Sequence, residues 1–203
     1  MGIETVDLNT LINRKDKYGE YAWSVISKII KYASSLVPGI TKEFNDIDEA
    51  MRLGFNWAKG PFEMLEEIGV KNFFDKWLID LSLDQREDGS VPWVIPNVLG
   101  ESSAGSAGWA DAATIIPYNH YLAYGDKEQL AVQYESMKNW VEYMYVNSTD
   151  GKYTGGFHFG DWLFFKPEYD NDGRAAITNK ELIAQCFYAK STPHTTEVSA
   201  TLG

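Results

Sequence analysis

The sequence predicts an all-α protein, and three of its features support that prediction. Apolar residues recur at helical spacing in several stretches, most clearly over residues 127–146, and no strand-like alternation persists. Three segments match the capping box, in which a helix-opening side chain is followed three residues later by Glu or Gln. These segments begin at Asp46, Asp126 and Thr178. Glycine and proline lie where the helical patterns start or stop, so we expect helices joined by loops.

The N-terminal part is predicted to hold three helices. Residues 1–19 are polar and mixed in charge, which indicates a flexible lead-in. The first helix covers residues 20–37 and stops at Pro38-Gly39. The second opens with Asp46 as its N-cap and ends near Gly54. The third starts at Pro61, a residue favoured at the first helical position, and ends at Gly69.

The remainder is predicted to hold four helices, over residues 70–85, 109–124, 127–146 and 178–191. Pro117 should kink or split the second of these. The last should direct Leu182, Ile183, Cys186 and Phe187 inward, and the polar tail from Thr192 should be disordered. Two long connections, residues 86–108 and 147–177, interrupt the helices, and loops of this length are usually functional.

Composition excludes several classes of partner. The net charge of −11 disfavours nucleic acid and anionic membranes. No apolar run is long enough to cross a bilayer, and the first residues lack the pattern of a signal peptide, so the default location is cytoplasmic. The single cysteine excludes an internal disulfide. Three scattered histidines and one cysteine give no zinc-type spacing, and the acidic turn 168–173 lacks the bidentate Glu of a calcium loop. We therefore expect neither metal nor cofactor.

Two glycine- and aromatic-rich segments are the candidate site. Residues 105–118 contain Trp109 and Asp111, with Asp111 expected in the first turn of a helix, where a carboxylate is favoured. Residues 155–163 contain His158, Asp161 and Trp162. Aromatic faces beside carboxylates suit a polar ligand with apolar faces, and sugars are the commonest such ligands.

Each of these residues also has a purely structural interpretation. Asp111 can be an ordinary helix-start acid and Asp161 a turn residue, while a tryptophan is more often part of a core. A histidine such as His158 is as often structural as functional. His120 is interpreted as a packing residue, and His194, in the polar tail, carries no functional indication.

The motifs around both segments resemble the catalytic domain of the bacterial α-L-rhamnosidases, a six-hairpin glycosidase family. The resemblance runs from about residue 73 to 191 and rests on residues 84–92, 108–113, 124–126, 134–141 and 157–163. It implies part of an α/α-toroid in which Trp109, Asp111, His158, Asp161 and Trp162 contact a rhamnoside. The family's reaction is hydrolysis of terminal α-L-rhamnosides with inversion.

The resemblance also implies what this chain lacks. The family places its acid Glu in an Arg–Asp–Glu-containing motif just before the matched stretch, and its base Glu well after it. Neither has a counterpart here, and loss of an acid–base pair costs orders of magnitude in rate. We therefore expect a rhamnosidase-like fragment that is not catalytically competent alone. An incomplete toroid exposes apolar helix faces, so self-association is a further expectation.

Residues 18–70 show a second resemblance, to the C-terminal helical domain of 3-hydroxyacyl-CoA dehydrogenases. It rests on residues 46–65, above all on the Gly60-Pro61-Phe62-Glu63 segment. No Gly-x-Gly-x-x-Gly fingerprint occurs, so no dehydrogenase role is carried over. The alternative function is a helical interaction or dimerisation module. The expected domains are residues 1–70, 71–191 and a tail over 192–203.

Overall fold

The computed structural model describes residues 7–162 and 177–203. Within them lie eight helices and one two-stranded antiparallel hairpin, which confirms the predicted all-α class. The helices are α1 (Leu8–Ile12), α2 (Lys17–Ser35), α3 (Phe44–Phe55), α4 (Pro61–Ile68), α5 (Val70–Asp84), α6 (Ala112–Tyr124), α7 (Lys127–Val146) and α8 (Lys180–Leu202); the strands are β1 (Ser148–Thr149) and β2 (Lys152–Tyr153). The chain divides into two compact units, residues 1–74 and 75–203.

The first unit is ordered from Asp7 onward, so the prediction of a flexible lead-in up to residue 19 is wrong there. Asp7 caps α1 by accepting a hydrogen bond from the Thr10 N–H at 2.8 Å, and Ile12 is buried. Asp16 caps α2, and its hydrogen bonds from Arg14 and from the backbone of Gly19 lower its pKa to about 2. One buried side chain and two caps therefore order a stretch that composition alone marks as polar.

Helix α4 begins at Pro61, as predicted, and a neighbouring helix completes its cap. The buried carboxylate of Asp48 accepts hydrogen bonds from the Phe62 and Glu63 N–H groups at 2.8 and 3.1 Å. The predicted N-cap Asp46 is wrong, because α3 starts two residues earlier, at Phe44. The Asp46 carboxylate accepts instead from the Thr41 hydroxyl at 2.5 Å.

In the second unit α6, α7 and α8 pack against one another in pairs. Leu130, Met137 and Val198 form the buried centre of this packing. The predicted cap of α7 is confirmed, since the Asp126 carboxylate accepts from the Gln129 N–H at 3.0 Å. Pro117 lies buried within α6, which continues through it as one helix rather than splitting.

The expected disordered tail is wrong, because α8 continues to Leu202. Thr195 and Val198 are buried, and the Thr195 hydroxyl donates to the Ser191 carbonyl oxygen at 3.1 Å, so polar residues are satisfied within the helix. The cap is Asn179 rather than Thr178. Leu182 and Cys186, predicted to face inward, are both exposed.

No helix within the described residues is both long enough and apolar enough to cross a bilayer.

Candidate functional site

The long connection between α5 and α6 is held in a fixed path by its own backbone. Residues 92 and 104 form an antiparallel bridge, the Trp93 N–H donates to the Ser103 carbonyl oxygen, and the Gly105 N–H donates to the Val91 carbonyl oxygen, both at 3.0 Å. These bonds bring the chain back on itself and present residues 105–109 at the start of α6. Gly105 and Gly108 have positive φ values, which favour glycine in this turn.

Asp111 is fully buried and accepts three hydrogen bonds through its carboxylate. The donors are the Gly108 N–H at 2.7 Å, the Trp140 indole N–H at 3.1 Å and the Ser191 hydroxyl. Asp111 stands at the N-cap position of α6 and not in the first turn as predicted, and it makes no capping bond to that helix. Its side chain therefore joins the glycine loop to α7 and α8.

A second hydroxyl extends this contact to α6. The Thr114 and Ser191 hydroxyl oxygens are 2.6 Å apart, and both side chains are fully buried. Three helices and the glycine loop thus meet at one carboxylate. Trp140, whose ring fills the space beside Asp111, is also fully buried.

The segment that carries His158 is hydrogen-bonded directly to the Asp111 loop. The His158 Nδ1 accepts from the Ala107 N–H at 3.2 Å, and the Phe159 N–H donates to the Ser106 hydroxyl oxygen at 3.2 Å. The Tyr153 hydroxyl donates to the Gly105 carbonyl oxygen at 2.5 Å. The two segments identified in the sequence are therefore in contact in the structure.

The protonation of His158 follows from these contacts. Burial lowers its pKa below the ordinary value, so the imidazole is neutral at pH 7. Because Nδ1 accepts a hydrogen bond, the proton is on Nε2. That Nε2 is buried and has no hydrogen-bond partner in the part of the chain that the structure describes, and the same holds for the indole N–H of Trp93. Two buried N–H donors near the glycine loop thus have no acceptor among the described residues.

Four aromatic side chains gather around Phe159, and we call these five residues together the Phe159 cluster. The ring centroids of the other four members lie 4.6–5.2 Å from that of Phe159; they are Trp93, Trp109, Phe157 and Trp162. Phe157 is 48% exposed and Trp162 is 39% exposed, so the cluster presents aromatic surface to solvent. The Lys180 ammonium lies 5.1 Å from the Phe157 ring centroid.

Asp161 adjoins Trp162 in the chain but bonds in another direction. Its carboxylate accepts from the N–H groups of Ile177 and Thr178 at 2.9 and 3.1 Å, and from the Thr178 hydroxyl at 2.9 Å. Partial desolvation raises its pKa, but these hydrogen bonds outweigh that effect and hold the pKa below the ordinary value. Asp161 is therefore ionised at neutral pH.

Sequence reasoning identified Trp109, His158 and Trp162, which the structure places in or beside the cluster, but missed Trp93, Phe157 and Phe159. The alternating aromatics at 157 and 159 were a usable signal, because alternate residues of an extended segment share a face. No local pattern indicated Trp93, which lies more than sixty residues from Phe159 in the chain.

The other two histidines, His120 and His194, pack against neighbouring side chains away from the candidate site. His120 is buried with its Nε2 3.2 Å from an Asp75 carboxylate oxygen, which fits the packing role predicted for it. His194 stacks on Tyr118 with ring centroids 4.2 Å apart, so it belongs to a packed helix and not to a free tail. The calcium-like turn at 168–173 lies outside the described residues. Within those residues, no group of three or more His, Cys, Asp or Glu side chains is arranged to hold a metal ion.

Comparison with known proteins identifies relatives across both units. The bacterial alpha-L-rhamnosidase 6-hairpin glycosidase domain matches residues 63–203. An alpha-L-rhamnosidase of Formosa agariphila is 31% identical over 185 residues, covering 87% of this chain and 19% of the relative. The crystal structure of Streptomyces avermitilis alpha-L-rhamnosidase complexed with L-rhamnose superposes with a TM-score of 0.56 at 32% identity, covering 65% of this chain and 12% of that one. The chain thus spans about a fifth or less of the length of these rhamnosidases.

The second resemblance is found over a shorter stretch. A Bacillus subtilis protein named for 3-hydroxyacyl-CoA dehydrogenase activity is 36% identical over 69 residues, which is 34% of this chain and 9% of that protein. The Formosa match covers more residues than the second unit contains, so it extends into the first unit as well. The dehydrogenase-like alternative is therefore not better supported than the glycosidase one.

Proposed function

The chain belongs to the bacterial α-L-rhamnosidase six-hairpin glycosidase family, and we propose that its Phe159 cluster binds the pyranose ring of a rhamnoside. The comparisons confirm the expected resemblance and the fold class. They also confirm that the chain corresponds to only part of the much longer α-L-rhamnosidases. The carbohydrate ligand is the proposal. The observation that carries it is exposed aromatic surface next to two N–H donors without partners among the described residues.

The chemistry of the two parts of this surface is complementary to a deoxy sugar. The rings of Trp162 and Phe157 offer flat apolar faces to C–H groups of the ring and to its methyl group. The His158 Nε2–H and the Trp93 indole N–H are buried beneath this surface and would donate to hydroxyl oxygens of a ligand whose binding opens them. A few placed polar groups in an apolar lining are typical of small-ligand sites. Because His158 is neutral, it donates without attracting a counter-ion.

We assign the five residues predicted from the sequence to different roles in this site. Trp109, His158 and Trp162 contact the ligand, and Asp161 borders the site beside Trp162. Asp111 is a positioning residue: it is buried, and through the Gly108 N–H it fixes the loop that presents Trp109. The prediction of a direct sugar contact for Asp111 is replaced by this indirect role.

We further propose that these residues bind a rhamnoside without hydrolysing it. Glycoside hydrolysis uses two carboxyl groups, one of them protonated at the start of the reaction. The lowered pKa of Asp161 disfavours the protonated form, and all three hydrogen bonds to Asp111 come from donors that suit a carboxylate. Asp161 therefore lacks the raised pKa that a general acid requires, and Asp111 lies buried away from the ligand surface.

The test is a titration of the protein with L-rhamnose, followed by tryptophan fluorescence. We expect a saturable change that is lost in Trp162→Ala and weakened at least tenfold in His158→Ala. The matched control is Trp57→Ala, which removes a tryptophan from the first unit. An aryl rhamnoside added to the same protein should release no free aryl alcohol. A signal that survives Trp162→Ala would contradict the binding proposal, and turnover that is abolished by Asp161→Asn would contradict the proposed lack of hydrolysis.

A further inference from the structure

Helix α2 carries apolar residues on two opposite sides, and only one side is covered. Its buried face is formed by Gly19, Trp23, Ser27, Ile30 and Ala33 within the first unit. The other side presents a row at heptad spacing that we call the α2 stripe, formed by Tyr18, Tyr21, Val25, Lys28 and Tyr32. This spacing places all five side chains along one line on the helix.

The stripe is unusually exposed for its composition. Tyr18, Tyr21 and Tyr32 are 60%, 73% and 69% exposed, and Val25 is 37% exposed. Large exposed apolar rows mark interaction sites, and tyrosine is enriched at protein interfaces. The stripe lies outside residues 63–203, which the six-hairpin glycosidase domain matches, and it takes no part in the proposed sugar site.

The charge of the stripe differs from that of the whole protein. The chain carries a net charge of −11, yet Lys28 is the only acidic or basic residue within the row. A second cation borders it, because the Lys17 ammonium lies 5.2 Å from the Tyr18 ring centroid. Lys28 makes no ion pair within the residues that the structure describes. A second copy of the stripe contains no Asp or Glu to pair with Lys28, whereas a partner helix with a carboxylate opposite Lys28 would be attracted.

The size of the stripe also limits the choice of partner. The exposed parts of the three tyrosines offer roughly 400 Å², about half of the ~800 Å² that each partner contributes to a standard interface. That area is small for two folded domains but matches one helix laid along about four turns. Helix recognition through apolar anchors at heptad positions is a common mode of binding.

We propose that the α2 stripe docks an amphipathic α-helix of another protein, with apolar residues facing the tyrosines and a carboxylate facing Lys28. Charge complementarity selects the acidic helix over a second copy of this chain, and the available area selects a helix over a domain. The tyrosine rings provide the apolar contact, and Lys28 provides preference for an acidic partner.

The experiment uses two fluorescein-labelled helical peptides of about 21 residues, three heptads long. Both carry leucine at the first and fourth heptad positions; one has glutamate and the other lysine at the flanking positions. Fluorescence anisotropy with the full chain should show saturable binding of the glutamate peptide and at least tenfold weaker binding of the lysine peptide. Lys28→Glu should reverse this preference, and Tyr21→Ser with Tyr32→Ser should weaken binding of the glutamate peptide at least tenfold.

The matched control is Leu122→Ser, which changes an equally exposed apolar residue on α6 and should leave binding unchanged. Circular dichroism checks that each variant remains folded. Equal binding of the two peptides, no binding of either, or an effect of Leu122→Ser as large as that of the tyrosine variants would overturn the proposal. A light-scattering mass of twice 22.9 kDa that falls to the monomer value in Tyr21→Ser would identify a second copy as the occupant and would also overturn it.

Discussion

The two carboxylates of the glycine- and aromatic-rich segments sit in opposite environments although their surroundings in the sequence are alike. Asp111 has no exposed surface and accepts hydrogen bonds from Gly108 in its own loop, from Trp140 on α7 and from Ser191 on α8. Asp161 is partly exposed and, among the residues that the structure describes, accepts from two neighbours in the chain, residues 177 and 178. A buried carboxylate that joins several helices stabilises the fold as a whole, whereas a partly exposed one whose donors lie in one short segment stabilises only that contact.

The largest effect expected from this difference is on stability. Asp111→Ala would leave the Gly108 N–H, the Trp140 indole N–H and the Ser191 hydroxyl buried without an acceptor. Each such loss costs free energy, and together we expect about 3 kcal/mol or more from the free energy of unfolding, measured with urea. The matched control, Asp161→Ala, should give a much smaller loss. Equal losses for the two variants would remove the distinction between the two carboxylates.

A smaller effect is expected from one of the donors. Ser191→Ala removes a hydroxyl that bonds both Asp111 and Thr114, and we expect a loss of about 1.5 kcal/mol in urea unfolding. Ser199→Ala is the matched control, because it changes an exposed serine on the same helix. Since Ser191 acts from α8, comparable values for the two serines would show that α8 does not hold Asp111.

These contacts also mark the limit of what the sequence could predict. Capping residues and apolar spacing are local, so α4, α5 and α7 were located from Pro61, Gly69 and Asp126. Trp140 and Ser191 are 29 and 80 residues from Asp111, and no local pattern shows that they direct donors at it. The residues around a buried polar group are known only once the chain has folded.

Helix α1 and the C-terminal part of α8 were not predicted, again because contacts distant in the chain stabilise them. Residues 1–19 are mixed in charge and the segment from Thr192 is polar, and from this a flexible lead-in and a disordered tail were predicted. Each segment is anchored by one or two buried side chains, Ile12 in α1 and Thr195 with Val198 in α8. Most helical stability in proteins comes from such packing and not from intrinsic propensity, so composition underestimated both.

The burial of His158 predicts that the free energy of unfolding depends on pH. We expect this change to be smaller than the losses from Asp111→Ala and Ser191→Ala. Burial lowers its pKa in the folded protein, so as pH falls below about 6.5 the unfolded chain takes up a proton that the folded chain resists. The free energy of unfolding is therefore highest above this pH, and it decreases as the pH falls toward the pKa of His158 in the folded protein. The free energy of unfolding should decline between pH 7.5 and 5.5, and His158→Asn should flatten the decline.

One other histidine contributes in the same window. Burial also lowers the pKa of His194, so His194→Asn should flatten the profile further, and the two effects should add because the residues lie on different elements. The carboxylates with lowered pKa values titrate below this range and leave it undisturbed. A profile unchanged by His158→Asn would mean that burial does not hold the imidazole neutral.

The smallest change in stability is expected from a substitution at Trp162, in the solvent-exposed part of the Phe159 cluster. Trp162 is 39% exposed, while Trp140 beside Asp111 is fully buried. Trp162→Phe should leave urea unfolding unchanged, because an aromatic ring is kept and the indole N–H donates to no residue in the described part of the chain. It should lower the quenching of tryptophan fluorescence by acrylamide, since a quencher reaches exposed indoles first. Trp140→Phe should do the reverse: it removes a donor from Asp111 and lowers stability, yet it removes no quenchable indole. If the two variants behaved alike in both measurements, the open segment around Trp162 and the closed one around Asp111 would not differ in solution.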